Sequence, residues 1–130
     1  MTRLLYLDTN ILMYLLERQE PYSSRVATYL EEYTKGSDGQ LASSAVAVTE
    51  FLAGSLSGTL DVLLSVPRLS FVELDHSMAA KAGMLQRQNS LPIGDAIHLA
   101  TAILLKAEAL FTNDKVFARV AEGYLPVRAV

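Results

Sequence analysis

Four acidic residues interrupt apolar or small-residue stretches of this sequence: Asp8, Glu50, Asp95 and Asp114. Asp8 follows the apolar run 4–7, and Asp114 follows a second short run at 109–112. Aspartate is a poor strand former and is rarely buried without a partner. Because the carboxyl ends of parallel strands meet at one edge of a sheet, we expect both aspartates at that edge, where open α/β sheets bind ligands.

Each acid taken alone also has an ordinary structural explanation. An aspartate between a strand and a helix is often a helix N-cap or an Asx turn, which applies to Asp8 and Asp114. Asp95 follows a glycine at a predicted helix start and also resembles a cap. Glu50 shares a helical face with small residues, so it either reaches water at the rim or needs a cation or a hydrogen-bond network.

Taken together, the four carboxylates would repel each other and raise one another's pKa unless a cation neutralised them. The chain has no cysteine, which excludes disulfides, thiolate catalysis and zinc–thiolate sites. Ligation by oxygen alone favours Mg²⁺ or Mn²⁺. Such an ion activates water and orients phosphate, so the predicted chemistry is hydrolysis of a phosphodiester. No Ser-His-acid set, Walker loop or GxGxxG motif competes with it.

The elements that must position these acids alternate along the chain. We predict strands at 4–7, 40–43, 69–74, 109–112 and 127–130, and helices at 11–17, 23–35, 44–55, 59–66, 75–89 and 95–106, with Ser44 and Asp75 as caps. This alternation predicts an α/β fold with a parallel sheet covered on both faces. A length of 130 residues predicts one domain, 1–130.

The overall charge is mildly acidic, at −3, which argues against a nucleic-acid coat protein but permits an enzyme with a local basic rim. Arg87, Lys115 and Arg119 either contact phosphates or are ordinary surface charges. The N-terminal apolar run is too short for a signal peptide, and the run 96–105 is too short to span a bilayer. We therefore expect a cytoplasmic protein with no membrane association.

Two histidines complete the set of possible metal ligands. His98 lies three residues after Asp95, on the same helical face, so it either partners Asp95 or is a hydrogen-bonded histidine near the core. The second interpretation is favoured, and His98 is not assigned as a ligand. His76 is predicted to be exposed.

In order and spacing, the motifs Leu7-Asp8-Thr9-Asn10-Ile11-Leu12, Thr49-Glu50-Phe51, Asp95 to Ala102, and Phe111-Thr112-Asn113-Asp114 resemble the PIN-domain nucleases. At this length the chain is most similar to VapC-type toxins of toxin–antitoxin pairs, and the resemblance covers essentially the whole chain. It implies a three-layer α/β/α sandwich around a parallel sheet of about five strands, with the acids at its carboxyl edge.

The same resemblance implies roles for individual residues. Asp8, Glu50, Asp95 and Asp114 would hold Mg²⁺ or Mn²⁺, and Asn10 and Thr112 would orient these carboxylates or the attacking water. The implied activity is metal-dependent endoribonuclease cleavage. The implied partners are an RNA substrate, a second copy of the chain in a homodimer, and a small antitoxin that blocks the site.

Two alternatives remain at this point. A haloacid-dehalogenase-like phosphatase also begins with an aspartate after its first strand and uses magnesium. Its chemistry needs a second aspartate two residues later, where this chain has Asn10. The other alternative is a non-catalytic module of the same fold that binds metal or RNA.

Overall fold

The computed structural model describes residues 2–36 and 38–130. Its strands are β1 Arg3–Leu7, β2 Gly39–Ser44, β3 Leu69–Val72, β4 Ala109–Phe111 and β5 Val127–Arg128. Its helices are α1 Thr9–Leu16, α2 Tyr22–Tyr33, α3 Ala45–Gly54, α4 Leu60–Leu64, α5 His76–Asn89, α6 Ile93–Leu104 and α7 Lys115–Ala121.

All five strands are parallel, and their order across the sheet is β3-β2-β1-β4-β5. In the centre, Leu5 of β1 is in register with Leu41 of β2 and with Ala109 of β4. Along the chain, β2 and β3 are added on one side of β1, and β4 and β5 are then added on its other side. The connections therefore diverge between β1 and β4, which leaves a crevice at the carboxyl ends of these two strands.

Side chains of β1 alternate between two apolar cores, one on each face of the sheet. Leu5 and Leu7 face a core that includes Ile11 of α1 and Phe51 of α3. Tyr6 faces the opposite core, built mainly from α5, α6 and α7. Because successive strand residues point to opposite faces, both layers of helices are held to the same central strand. The predicted three-layer α/β/α sandwich with a five-stranded parallel sheet is confirmed.

Two helices near the acidic motifs differ from the sequence prediction. Helix α6 begins at Ile93, two residues earlier than predicted, because Pro92 occupies the N-cap position and its ring favours the entry to a helix. Asp95 therefore lies inside the first turn and is not the cap. Helix α7 was not predicted. Asp114 caps it by accepting hydrogen bonds from the backbone N–H groups of Val116 at 3.0 Å and Phe117 at 3.1 Å.

Among the helices of the described residues, none combines the length and the apolar character needed to cross a membrane.

Candidate active site

Asp8 lies directly after β1, in the crevice between β1 and β4, with 5% of its surface exposed. Its Oδ1 accepts a hydrogen bond from the backbone N–H of Thr9 at 2.7 Å, so it caps α1. Its Oδ2 accepts hydrogen bonds from Thr112 Oγ1 at 2.7 Å and Asn10 Nδ2 at 3.3 Å. Burial raises the pKa of Asp8, while His98 and these hydrogen bonds act in the opposite direction.

Asn10 and Thr112 connect the carboxyl ends of β1 and β4. Asn10 Nδ2 donates to Thr112 Oγ1 at 3.3 Å, and Asn10 Oδ1 accepts from the backbone N–H of Asn113 at 3.3 Å. Thr112 Oγ1 also accepts from the backbone N–H of Asp114 at 3.1 Å. Both side chains thus hold the Asp8 carboxylate in one orientation.

Glu50 projects from α3 and is half-buried. Its Oε1 accepts hydrogen bonds from Thr9 Oγ1 at 2.6 Å and from His98 Nε2 at 2.7 Å. The hydrogen bond from His98 lowers the pKa of Glu50, against the opposing effect of partial burial. Its other oxygen lies against Gly94, where a Cβ atom would come within 2.6 Å of Oε2. Glycine at 94 therefore lets the first turn of α6 approach Glu50 closely.

His98 is fully buried on α6 and uses both ring nitrogens. Nε2 contacts Glu50 and lies 3.1 Å from Thr9 Oγ1, while Nδ1 lies 2.7 Å from the hydroxyl of Tyr6. Burial raises the pKa of Tyr6, which keeps its hydroxyl protonated. The Tyr6 hydroxyl pairs with Nδ1, and Nε2–H donates to the Glu50 carboxylate.

The favoured interpretation of His98, a hydrogen-bonded histidine near the core, is confirmed. The residue is buried and hydrogen-bonded as predicted, but its acidic hydrogen-bond partner is Glu50 on another helix. Burial lowers the pKa of His98, yet the hydrogen bond with Glu50 and the charge of Asp8, 3.6 Å away, outweigh burial and raise it. Tyr6 and Thr9 were missed as neighbours of the site, since a tyrosine in a strand and a threonine in a helix carry no specific signal.

Asp95 is half-buried in the first turn of α6 and is the acid that feels the other three most directly. Burial raises its pKa to about 6, and the negative charges of Asp8, Asp114 and Glu50 add to the effect. Asp114 is exposed at the start of α7. The four acids thus form one electrostatic cluster contributed by the ends of β1 and β4 and by the helices α3 and α6.

The donor chemistry of this cluster suits a hard divalent cation, because its four acidic members are all carboxylates. Within residues 2–36 and 38–130, no three acidic or histidine side chains stand close enough together to form a ready-made metal site. One oxygen of Glu50 is engaged by His98, and one oxygen of Asp114 is engaged by backbone N–H groups of α7. A cation would reverse the repulsion that raises the pKa of Asp95.

The remaining candidates lie on the surface. His76 is the first residue of α5 and is exposed as predicted. Arg87, Lys115 and Arg119 are exposed as well, and Lys115 directly follows Asp114.

Comparisons with known proteins agree with this geometry. The sequence profile of the PIN domain matches residues 5–123. No curated protein matches the chain at a significant level. Among solved structures, a toxin–antitoxin complex from Klebsiella pneumoniae is 27% identical with a TM-score of 0.69, covering 87% of this chain and 89% of that chain.

Two further structures are similar in fold at lower identity. VapBC2 from Rickettsia felis, bound to a DNA fragment from their promoter, is 22% identical with a TM-score of 0.66, covering 97% of this chain and 98% of that chain. FitAcB from Neisseria gonorrhoeae is 18% identical with a TM-score of 0.68, covering 95% of each chain. Because the PIN profile spans nearly the whole sequence, the chain belongs to the PIN domain family of nucleases.

Proposed function

We propose that this chain is a metal-dependent endoribonuclease that hydrolyses RNA phosphodiester bonds and acts as the toxin of a type II toxin–antitoxin pair. One observation carries the proposal. Asp8 is buried and locked at the crevice between β1 and β4, and three further carboxylates add negative charge around it. Burial and the neighbouring negative charges raise the pKa values of Asp8 and Asp95, which is typical of a functional site. The family match favours a nuclease over the phosphatase.

The proposed metal ligands are Asp8, Glu50, Asp95 and Asp114, and the proposed ion is Mg²⁺ or Mn²⁺. When bound, such an ion supplies a water of lowered pKa and stabilises the charge that develops on the phosphate. The chain's own contribution is to position the ligands. Thr112 and Asn10 hold Asp8 from the β4 side, and Thr9 and His98 hold Glu50 from the α1 and α6 sides.

These supporting contacts matter because the acids come from distant parts of the chain. A carboxylate that is already hydrogen-bonded through one oxygen has less freedom to lose when it binds an ion through the other. Glu50 has Oε1 committed to Thr9 and His98, with Oε2 turned toward the first turn of α6, where Asp95 lies. In this proposal Thr9 and His98 position Glu50. Asn10 and Thr112 are the positioning residues for Asp8.

The toxin assignment is supported by the solved structures similar to this chain, since VapBC2 and the complex from Klebsiella pneumoniae contain a toxin and an antitoxin. A partner protein is also supported by exposed apolar side chains along α3, α4 and the segment between them: Leu52, Leu56, Leu60, Val62 and Leu64. Exposed clusters of this kind are typical of protein interfaces. We propose a small antitoxin and a second copy of the chain as partners, acting in the cytoplasm, where the RNA substrate is found.

The test is cleavage of mixed RNA by the purified protein with Mg²⁺ or Mn²⁺. Cleavage is expected with either metal, and its loss is expected in EDTA and in Asp8→Asn. Activity that survives in EDTA and in Asp8→Asn would contradict the proposed mechanism. Absence of cleavage on any RNA, together with retained binding, would favour the non-catalytic module.

A separate experiment tests the toxin role. The chain is expressed with and without its neighbouring open reading frame, and RNA ends are sequenced. Growth arrest with new RNA ends, relieved by the neighbouring frame, is the expected result. Harmless expression beside a frame that encodes no small antitoxin would leave the nuclease without a toxin role. Size measurement by light scattering tests the homodimer.

A further inference from the structure

A cleft of about 350 Å³ opens beside the acidic cluster and is not used by the mechanism above. Thr112, Asp114 and Val130 line it, and the first two place it next to the cluster. The remaining wall includes two tyrosines and two basic residues, Tyr14, Tyr22, Arg25 and Lys115. A cleft of this size is at the lower end of small-molecule sites, which run from roughly 300 to 1,000 Å³, and is large enough for one nucleotide.

The two tyrosines form a flat aromatic platform at the junction of α1 and α2. The rings of Tyr14 and Tyr22 are stacked, with centroids 4.8 Å apart and planes inclined by 24°. Tyr14 packs against the core, which anchors the platform, while Tyr22 is 37% exposed. One face of Tyr22 rests on Tyr14, and Tyr22 also lines the cleft. The part of its side chain that remains exposed is available to a further aromatic ring.

Positive charge lies beside the platform. Arg25 is exposed on α2, and Lys115 is exposed at the first position of α7. Arg25 and Lys115 line the same cleft as Asp114, so cations that could pair with a phosphate lie beside the acidic cluster. Aromatic faces combined with cations are the usual means of binding a single-stranded nucleic acid without reading its sequence.

We infer that this cleft binds the nucleotide next to the phosphate that is cut, with its base stacked on Tyr22 and its phosphate paired with Arg25 and Lys115. The inference rests on the proposed function and deepens it by naming the side chains that hold a nucleotide beside the acidic cluster. A duplex holds its bases inside and cannot present one to Tyr22, so it serves as the control ligand. Residues 14, 22, 25 and 115 would set the direction in which RNA crosses the acidic cluster.

The chain has no tryptophan, so Tyr22→Trp introduces a single indole as a reporter within the cleft. All proteins are compared in an Asp8→Asn background with Mg²⁺ present, so that the RNA is not consumed. Quenching of the indole emission is expected on titration with a short mixed-sequence single-stranded RNA, and much less with the matching duplex. Tyr124→Trp, an exposed position outside the cleft, should not respond. RNA binding seen by anisotropy without quenching at position 22 would overturn the inference.

Affinity variants give a second readout. Tyr22→Ala is expected to weaken single-stranded RNA binding roughly tenfold, within the range for loss of one base–aromatic stack, whereas Tyr22→Phe keeps the ring and the affinity. Arg25→Ala should reduce the slope of log affinity against log salt by about 0.7, the value for one phosphate contact on a single strand. Lys35→Ala removes an equal charge just beyond the other end of α2 and should leave the slope unchanged.

The outcomes separate the two proposals. If RNA is cut and Asp8 is required, but the substitutions at 22 and 25 change neither affinity nor salt slope, the cleft inference is wrong and the nuclease stands. If the same substitutions weaken only the binding of the small protein encoded by the neighbouring frame, the cleft is a protein interface and the inference is again wrong. If no RNA is bound or cut by any form of the protein, both the proposed function and the cleft inference are wrong.

Discussion

The two edges of the sheet both carry charged side chains, but they balance those charges differently. At the edge where the strands begin, Arg3 lies 3.2 Å from Asp38 and 3.8 Å from Glu108, and its guanidinium sits 4.7 Å from the centre of the Tyr33 ring. At the edge where the strands end, four carboxylates surround one hydrogen-bonded histidine, His98.

This difference separates charges that neutralise each other within the fold from charges to which we assign a metal ion. The groups around Arg3 neutralise each other in a half-exposed setting, where ion pairs contribute little and need nothing further. At the opposite edge, burial and repulsion raise the pKa values of Asp8 and Asp95 above their ordinary range. The charged forms of these two acids are therefore disfavoured in the folded protein, which is the usual sign of a functional site.

The largest effect is expected from adding the proposed metal ion. Mn²⁺ should raise the unfolding temperature of the metal-free protein, because it binds only the folded state. At a Mn²⁺ concentration one hundred times the Kd, the free energy of unfolding should rise by about 2.7 kcal/mol. Asp8→Asn should lose most of this gain, whereas Asp38→Asn, a matched change at the other edge, should keep it. Scanning fluorimetry over a metal titration measures both, and equal shifts in the two variants would remove the distinction between the edges.

The next effect concerns the side chain that holds Asp8 in place. Thr112→Val keeps the shape but removes the hydroxyl that donates to Asp8 Oδ2 at 2.7 Å. Loss of such a supporting contact costs roughly 10- to 100-fold in metal affinity or activity. RNA cleavage and isothermal titration with Mn²⁺ should both record the loss, and Thr112→Ser should restore most of it. A valine variant with full metal affinity would show that Asp8 needs no such support.

A smaller effect is expected from removing repulsion at Asp95. Its pKa is about 6 in the folded protein against an ordinary 3.8, so its charged form destabilises the metal-free fold, with a penalty that grows from about pH 4 and is complete above about pH 6. Asp95→Asn should therefore stabilise the metal-free protein at pH 7.5 by on the order of 1 kcal/mol, after allowance for its half-exposed position, and by almost nothing at pH 4.

Urea unfolding in EDTA at the two pH values measures this effect. Asp61→Asn is the matched control, since it removes an exposed carboxylate from the first turn of α4. With saturating Mn²⁺, Asp95→Asn should be less stable than the parent, because the variant lacks one of the proposed metal ligands. A variant at 95 that is no more stable than the parent at pH 7.5 would contradict the repulsion described above.

The smallest effect is expected at the opposite edge. Arg3→Ala should lower the unfolding temperature slightly, by an amount that shrinks as salt screens the pairs with Asp38 and Glu108. RNA cleavage should be unchanged, because no group of the acidic cluster contacts Arg3 in the described residues. A marked loss of cleavage in this variant would mean that the two edges are coupled, and the contrast between them would fail.

Most of the fold could be predicted from the sequence because the apolar runs and capping residues are local signals. Ser44 and Asp75 cap helices as predicted, with bonds to the backbone N–H groups of Val46 and Met78. Helix α7 was missed although Asp114 is followed by buried Phe117 and Ala121 at helical spacing. The N-cap explanation of Asp114 holds, but the segment after it is only seven residues long, and an apolar spacing of this length is too short to predict a helix.

The site was harder to predict because its supporting contacts join distant parts of the chain. Tyr6 and His98 are 92 positions apart in sequence and meet only once α6 packs on the face of β1. The four acids stood out because their residue types conflict with the apolar context, whereas the roles of Asn10 and Thr112 came from the family resemblance. Thr9, in contrast, is an ordinary residue for the first position of a helix, and its hydrogen bond to Glu50 depends on how α1 and α3 are placed by the sheet.

The placement of β1 in the middle of the sheet also has a consequence for the order of synthesis. Strand β1 must wait for β4, and the hydrogen bond between Asp8 and Thr112 closes a loop of 104 positions. The contacts between Asp8 and the end of β4 therefore form only after β4 has been made. The proposed site would stay incomplete in a nascent chain that lacks β4.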